Sequence, residues 1–289
     1  MIFPENILNK ITLMANSPYI SCKDYLVSGE TFELFRHPEY EILETKPIPV
    51  NLPSYYSSEE YISHTDSKKT IIEKIYQQVK EYMLKKKLGW IKKYKKSGRI
   101  LDVGAGTGDF LNTARKNGFS ALGIEPNKMA RFKAQSKGIS LVRDYEQLEI
   151  NKFDVISLWH VLEHLKDPVA EINILYNLLA EDGILIIAVP NFKSFDAIHY
   201  EEFWAAYDVP RHLFHFSQEG MKAIFLKGGF SLIETKPLLF DSYYVSLLSE
   251  KNRTGSANFL RAFKTGLRSN LKAKSSTEYS SLTYFFKKT

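Results

Sequence analysis

Residues 99–127, RILDVGAGTGDFLNTARKNGFSALGIEPN, constrain the fold more than any other stretch. They read as strand, glycine turn, helix and second strand, closing on an acid. Ile100, Leu101 and Val103 make a short apolar run with β-branched members, the pattern of a parallel strand covered on both faces. Gly104, Gly106 and Gly108 follow, with Ala105 and Thr107 between them. Glycines here allow a tight turn and let a ligand approach unhindered by Cβ atoms. Phe110, Leu111 and Ala114 recur at helical spacing, Asn117-Gly118 marks a helix stop, and Ala121 to Ile124 is a second apolar strand. Glu125 stands at its end. In a doubly wound sheet ligands bind at the carboxyl ends of strands, where an acid can hold two ribose hydroxyls.

The spacing of the turn selects the ligand. The dinucleotide fingerprint is G-x-G-x-x-G, with a pyrophosphate on the helix N-terminus. Here the third glycine comes one residue sooner, and Asp102 sits two residues before the first. An acid there suits a ligand with a cationic group and argues against a nicotinamide dinucleotide. Asp102, Gly104, Gly106, Gly108 and Glu125 together resemble the first two motifs of the class I S-adenosylmethionine-dependent methyltransferases. That resemblance implies an α/β fold: a doubly wound, mostly parallel seven-stranded sheet of the Rossmann-like methyltransferase kind, with a small N-terminal addition. It implies S-adenosylmethionine as methyl donor and S-adenosylhomocysteine as product. It assigns Asp102, Gly104, Ala105, Gly106, Gly108, Glu125 and Pro126 to the cofactor. Asp144, after the third strand, is placed at the adenine amino group, and Trp159 and His160, at the end of the fourth, join the same set.

Phe153 to Leu158 resembles the family's F-D-x-I/V strand. Val161-Leu162-Glu163-His164, followed by Asp167-Pro168, resembles the branch that includes the ubiquinone-pathway O-methyltransferases. In some members of that branch an acid and histidines here bind a metal or help deprotonate a hydroxyl. Two histidines and a carboxylate at a helix start serve equally as capping and packing groups, so no metal is expected. His160, His164 and His212 are the candidate general bases, because imidazole titrates near neutral pH. The long connection from Phe192 to Phe216 is rich in aromatics and lies where strand-end loops carry specificity. Trp204, Tyr207, Arg211 and His212 are its candidate substrate contacts. The alternative for them is a loop held down by an arginine fork and an aromatic cluster.

Three regions are expected. Residues 1–54 form a β-rich segment that looks like a zinc-ribbon remnant; its cysteine pairs are missing, so zinc is not expected. Residues 55–97 form a helical lid and linker, in which Tyr56, Tyr61 and His64 are cofactor or substrate contacts or else cap the core. The lysine-rich run from Lys85 to Lys96 is expected to be a solvated surface. Residues 98–289 form the methyltransferase domain, whose last strand, Leu282 to Phe286, should run antiparallel between the fifth and sixth. An insertion at 241–279 separates those final strands. Within it, residues 251–274 hold seven lysines and arginines and no acid, which leaves the rest of a +6 chain close to neutral. Phe259, Leu260, Phe263 and Leu267 predict one amphipathic helix there, which faces solvent, an anionic membrane or nucleic acid, or clasps the substrate entrance. No stretch approaches the ~20 apolar residues of a membrane span. The single cysteine, Cys22, excludes an internal disulfide and fits a reducing cytoplasm. The expected function is methyl transfer from S-adenosylmethionine to a small or lipid-like acceptor at oxygen. The alternative is a protein that keeps the cofactor without turnover.

Overall fold

Alternation of apolar and polar residues builds the N-terminal strands Ile20–Lys23 (β1), Thr31–Arg36 (β2) and Ile42–Lys46 (β3), which pair antiparallel and bury Phe32, Leu34 and Leu43. A computed structural model describes residues 17–56, 71–149 and 152–289 of the chain. After a 3-10 turn at Leu52–Tyr56 comes the long helix Ile71–Ile91 (α1). The strands Gly98–Val103 (β4), Phe119–Ile124 (β5) and Leu141–Val142 (β6) then alternate with helices Asp109–Arg115 (α2) and Lys128–Ser136 (α3). Strand Phe153–Trp159 (β7), helix Pro168–Leu178 (α4) and strand Leu179–Pro190 (β8) make the next right-handed step. Helix Phe195–Tyr200 (α5) and the short strand Phe214–Phe216 (β9) precede helix Gln218–Lys227 (α6) and strand Phe230–Pro237 (β10). Two helices, Asp241–Thr254 (α7) and Phe259–Ser276 (α8), lead to the last strand, Ser281–Lys288 (β11).

The main sheet has the order β10-β11-β8-β7-β4-β5-β6, parallel except for β11, which is antiparallel to both neighbours. The expected seven-stranded sheet and the place of its reversed strand are therefore both present. The chain winds outward from β4 through β5 and β6, then returns to the other side of β4 as β7. That reversal puts a topological switch point at the carboxyl ends of β4 and β7, the ligand position of open α/β sheets. Both faces of the sheet are covered. Leu101, Ile156, Leu158 and Ile187 pack with Ile172, Leu175, Met221 and Phe225 on one face; Ile100, Val155 and Ile186 pack with Leu88, Ile91, Phe110 and Leu111 on the other. A second, four-stranded sheet joins β1, β2 and β3 to β9, so the N-terminal strands pair directly with the loop region that follows β8.

Several local expectations need correction. The insertion forms two helices, because Gly255 in the left-handed region (φ 78) ends α7 and Asn258 caps a fresh start, its side chain accepting from the Arg261 amide. Glu163 and His164 lie in a 3-10 turn at Leu162–His164; the helix begins only at Pro168, capped by Asp167 through the Ala170 amide at 2.9 Å. In the lysine-rich run, Leu88, Trp90 and Ile91 are buried, and Trp90 packs edge-on against Phe285.

Candidate active site

At the carboxyl end of β4 the backbone turns through three positive-φ glycines. Gly104 cannot carry a side chain: a Cβ there would lie 2.3 Å from Val161 Cγ2, which pins the segment after β7 directly on the turn. Gly106 is different. It has φ +53, a Cβ would meet nothing within 4 Å, and its amide donates to Glu125 Oε2 at 2.8 Å. The other carboxylate oxygen of Glu125 accepts from the Asn127 amide at 2.8 Å, and the Pro126 carbonyl takes Arg131 Nη1 at 2.7 Å. Glu125 is thus anchored at the edge of an open space in front of the turn.

Asp102 lies beneath that space, 3% exposed, and accepts Ser157 Oγ at 2.5 Å from the neighbouring strand. Burial pushes its carboxyl up to about 7, against the Ser157 hydrogen bond and the charge of Lys87. A cationic ligand arriving nearby would favour the ionised form. Lys87, from the run expected to be solvated, turns inward instead, with Nζ 4.1 Å from the centroid of Trp159. Burial lowers its pKa, opposed by Asp241 and Asp102. Trp159 also meets Phe110 edge-on at 5.6 Å. Its indole Nε1 is buried without a protein partner, as is Asp144 Oδ1, whose other oxygen takes Arg143 Nε at 2.7 Å. The residues present fit a nucleoside-bearing, cationic cofactor: an open glycine turn, an anchored acid at the next strand end, and buried polar atoms awaiting partners.

After β7 the backbone bends sharply, His160 adopting φ 57. Its imidazole lies between Glu163 Oε1 at 3.3 Å and Asp241 Oδ2 at 3.1 Å. Burial would lower its pKa, but the hydrogen bonds and charges of Asp241 and Glu163 outweigh that and raise it to about 9. His160 is therefore cationic at neutral pH, and the pairing contributes fully below pH 6.5, fading as pH rises through about 9. An NMR titration is expected to show a midpoint near 9, and Asp241→Asn to lower it by about a unit or more. An unchanged midpoint would assign the shift elsewhere.

His164 and His212 meet edge-on with centroids 4.5 Å apart. His164 Nδ1 lies 3.0 Å from the Arg211 carbonyl and His212 Nδ1 2.8 Å from that of Ala206. A carbonyl only accepts, so each Nδ1 carries a proton. Burial, then the charge of His164, lowers His212 to about 4. Glu163 is buried, its second oxygen has no protein partner, and burial is outweighed by three histidines that hold its pKa low. Glu163, His164 and His212 offer donor atoms within 4.8 Å of one another. No metal is expected from the sequence, yet this donor set, with Nδ1 protons held by carbonyls, is one that could hold a divalent ion.

Tyr56 joins this cluster, its hydroxyl 3.2 Å from His164 Nδ1 and donating to the Arg211 carbonyl at 3.2 Å; Tyr61 and His64 lie outside the described residues. The substrate contacts expected at Trp204, Tyr207 and Arg211 are buried groups that pack the wall. Arg211 is the fork of the alternative, donating to Asp208 Oδ1 and Asp24 Oδ1 at 2.7 and 2.9 Å and to the Tyr55 carbonyl at 3.2 Å. Trp204 donates to Asp196 Oδ2 at 2.8 Å and meets Tyr207 edge-on. All three line a cavity of about 130 Å³ with Cys22, Tyr25 and Lys251, none of which belongs to the glycine turn. Arg211 instead serves the site through its carbonyl, which orients His164. Sequence reasoning missed Ser157, Lys87 and Asp241. Nothing distinguishes Lys87 from its lysine neighbours in the sequence, and Asp241 is 81 residues from the histidine it meets.

Comparison with known proteins agrees with this geometry. A family model described as "Methyltransferase domain" matches residues 70–235, more than half of the chain. Ubiquinone biosynthesis O-methyltransferases from Actinobacillus pleuropneumoniae and Histophilus somni are 34% and 33% identical over 109 and 115 residues, covering 32% and 34% of this chain. Those matches take in 46% and 47% of the relatives, so the chain spans about half the length of the curated relatives it matches. Magnesium protoporphyrin IX methyltransferase from Synechocystis PCC 6803, solved with bound SAH, superposes with a TM-score of 0.55 at 15% identity, over 82% of this chain and 98% of that one. The structure of the same enzyme with bound SAM gives 0.52. With the strand order, the acid-flanked glycine turn and the family match in agreement, the chain belongs to the class I S-adenosylmethionine-dependent methyltransferases.

Proposed function

We propose that this chain transfers a methyl group from S-adenosylmethionine to an oxygen of a small or lipid-like acceptor. The observation that carries this reading is His164: an imidazole whose Nδ1 is held by the Arg211 carbonyl, beside the unpartnered buried oxygen of Glu163, on the segment packed onto the glycine turn. Methyl transfer from a sulfonium is an in-line displacement in which the oxygen bonds the methyl carbon as the carbon–sulfur bond breaks. Most of the protein's task is alignment and exclusion of water. A hydroxyl acceptor also has to lose its proton. His164 Nε2 takes it, Glu163 stabilises the imidazolium that forms, and the His160 cation limits the negative charge that Glu163 and Asp241 bring to the site. Were Glu163, His164 and His212 instead to hold a divalent ion, it would lower the pKa of an acceptor hydroxyl in place of proton uptake by His164. The ubiquinone biosynthesis relatives, named as O-methyltransferases, support oxygen as the acceptor atom.

The test is calorimetric titration with S-adenosylmethionine and S-adenosylhomocysteine, followed by labelled methyl transfer to phenols, catechols and prenylated quinols. Binding of both ligands and label on a hydroxyl oxygen is the expected result. Binding with label only on nitrogen or carbon acceptors would overturn the oxygen assignment. Binding with no transfer to any acceptor would point to a cofactor-dependent protein without turnover.

A further inference from the structure

The α7–α8 hairpin lies beyond the residues matched by the family model, and apart from Asp241 methyl transfer does not account for it. Helix α8 divides into three sectors. At about 100° per residue, Ala262, Thr265, Gly266, Ser269 and Ala273 share one side, and all are buried. These small residues allow close approach: a Cβ on Gly266 would lie 2.9 Å from Tyr243 Cα, and Ser269 Oγ donates to buried Asp196 at 2.6 Å. The large apolar residues point the other way. Phe259, Leu260, Phe263, Leu267 and Leu271 are exposed, Leu260 by 76%; Phe263 also stacks one face on Tyr243, centroids 5.3 Å apart. Arg261, Lys264, Arg268 and Lys272 occupy the sector between, also exposed. A helix that packs its small side inward and shows its large apolar side to water has a second partner.

We propose that α8 docks the protein on the interface of an anionic lipid bilayer. The apolar arc buries into the acyl boundary while the adjoining basic arc meets lipid phosphates. Charge complementarity selects this occupant, since residues 251–274 carry seven basic groups and no acid. Nucleic acid would use the basic arc and leave five large apolar side chains in water. The patch also leads to the site: Asn270 donates to the Leu239 carbonyl at 3.0 Å, Leu239 and Phe240 are themselves exposed, and the next residue is Asp241, the partner of His160.

Flotation of the full chain with phosphatidylcholine vesicles, with and without phosphatidylglycerol, tests the proposal independently of any methyl acceptor. Binding is expected only with phosphatidylglycerol. The pairs Leu260→Ser/Leu271→Ser and Lys264→Glu/Arg268→Glu should each weaken it at least about tenfold without lowering the melting temperature. Absence of flotation at low salt overturns the proposal, as does flotation that survives either pair. Binding to duplex DNA that only the charge pair abolishes would assign the surface to nucleic acid. A dimer dispersed by Leu260→Ser/Leu271→Ser would assign it to a second copy. A lowered melting temperature in that variant would show the stripe to be covered by the chain itself. Each of these three results also overturns the lipid assignment.

Discussion

Replacing Gly106 with valine is expected to weaken binding of S-adenosylmethionine and S-adenosylhomocysteine by at least about a hundredfold, or ~2.7 kcal/mol, while the chain still folds. The two effects separate because of what surrounds this residue. A Cβ on Gly106 meets no protein atom within 4 Å, so the substitution makes no clash in the fold. The cost to the fold is conformational: φ is +53, in the left-handed region, where a side chain costs roughly 1–2 kcal/mol. The valine methyls would instead fill the space in front of the turn, beside the carboxylate that Gly106 holds at 2.8 Å. Gly104→Val is the contrasting control, since its Cβ would fall 2.3 Å from Val161 and disturb the packing itself. Calorimetric titration with a thermal melt of each variant is the measurement. Unchanged affinity in Gly106→Val would remove the cofactor from this turn.

The sheet was legible because its strands are short apolar runs punctuated by glycine and asparagine, so β4, β5, β7 and β11 all lie where alternation and turn residues place them. The glycine turn proposed to take the cofactor was legible for a related reason. Asp102, the glycines and Glu125 are local in sequence, and their spacing carries their chemistry. The acceptor side was not. His160 meets Asp241 across 81 residues, and His164 takes its orientation from a carbonyl 47 residues away. Such pairings depend on how β7, β9 and α7 pack, which no local pattern encodes. Arg211 shows the hazard from the other side. An arginine beside a histidine in an aromatic loop suggests a substrate contact, but the acids Asp24 and Asp208 claim its guanidinium. Asp24 lies 187 residues away, so the burial that decides its role was invisible in the sequence.

His164→Ala is expected to lower methyl transfer by roughly 10²–10⁴-fold and leave cofactor affinity nearly unchanged. The three candidate imidazoles are sorted by their surroundings. His160, raised to about 9 by Asp241 and Glu163, is already protonated at neutral pH and cannot serve as a base there. His212, lowered to about 4 by burial and by His164, stays neutral but is too weak a base to hold a proton. His164 is the least buried member of its cluster, has its Nδ1 proton on the Arg211 carbonyl, and brings a ring nitrogen within 4.8 Å of donor atoms of Glu163 and His212. Its removal should also change the pH profile. A base in the site makes turnover less dependent on hydroxide, so turnover of His164→Ala should climb more steeply with pH than that of the parent. Rescue by added imidazole would identify the lost group as a base, whereas rescue by a high concentration of divalent ion would identify it as a ligand. Full activity in His164→Ala, with an unaltered profile, would leave Glu163 as the proton acceptor and return His164 to a packing role against Tyr56 and His212.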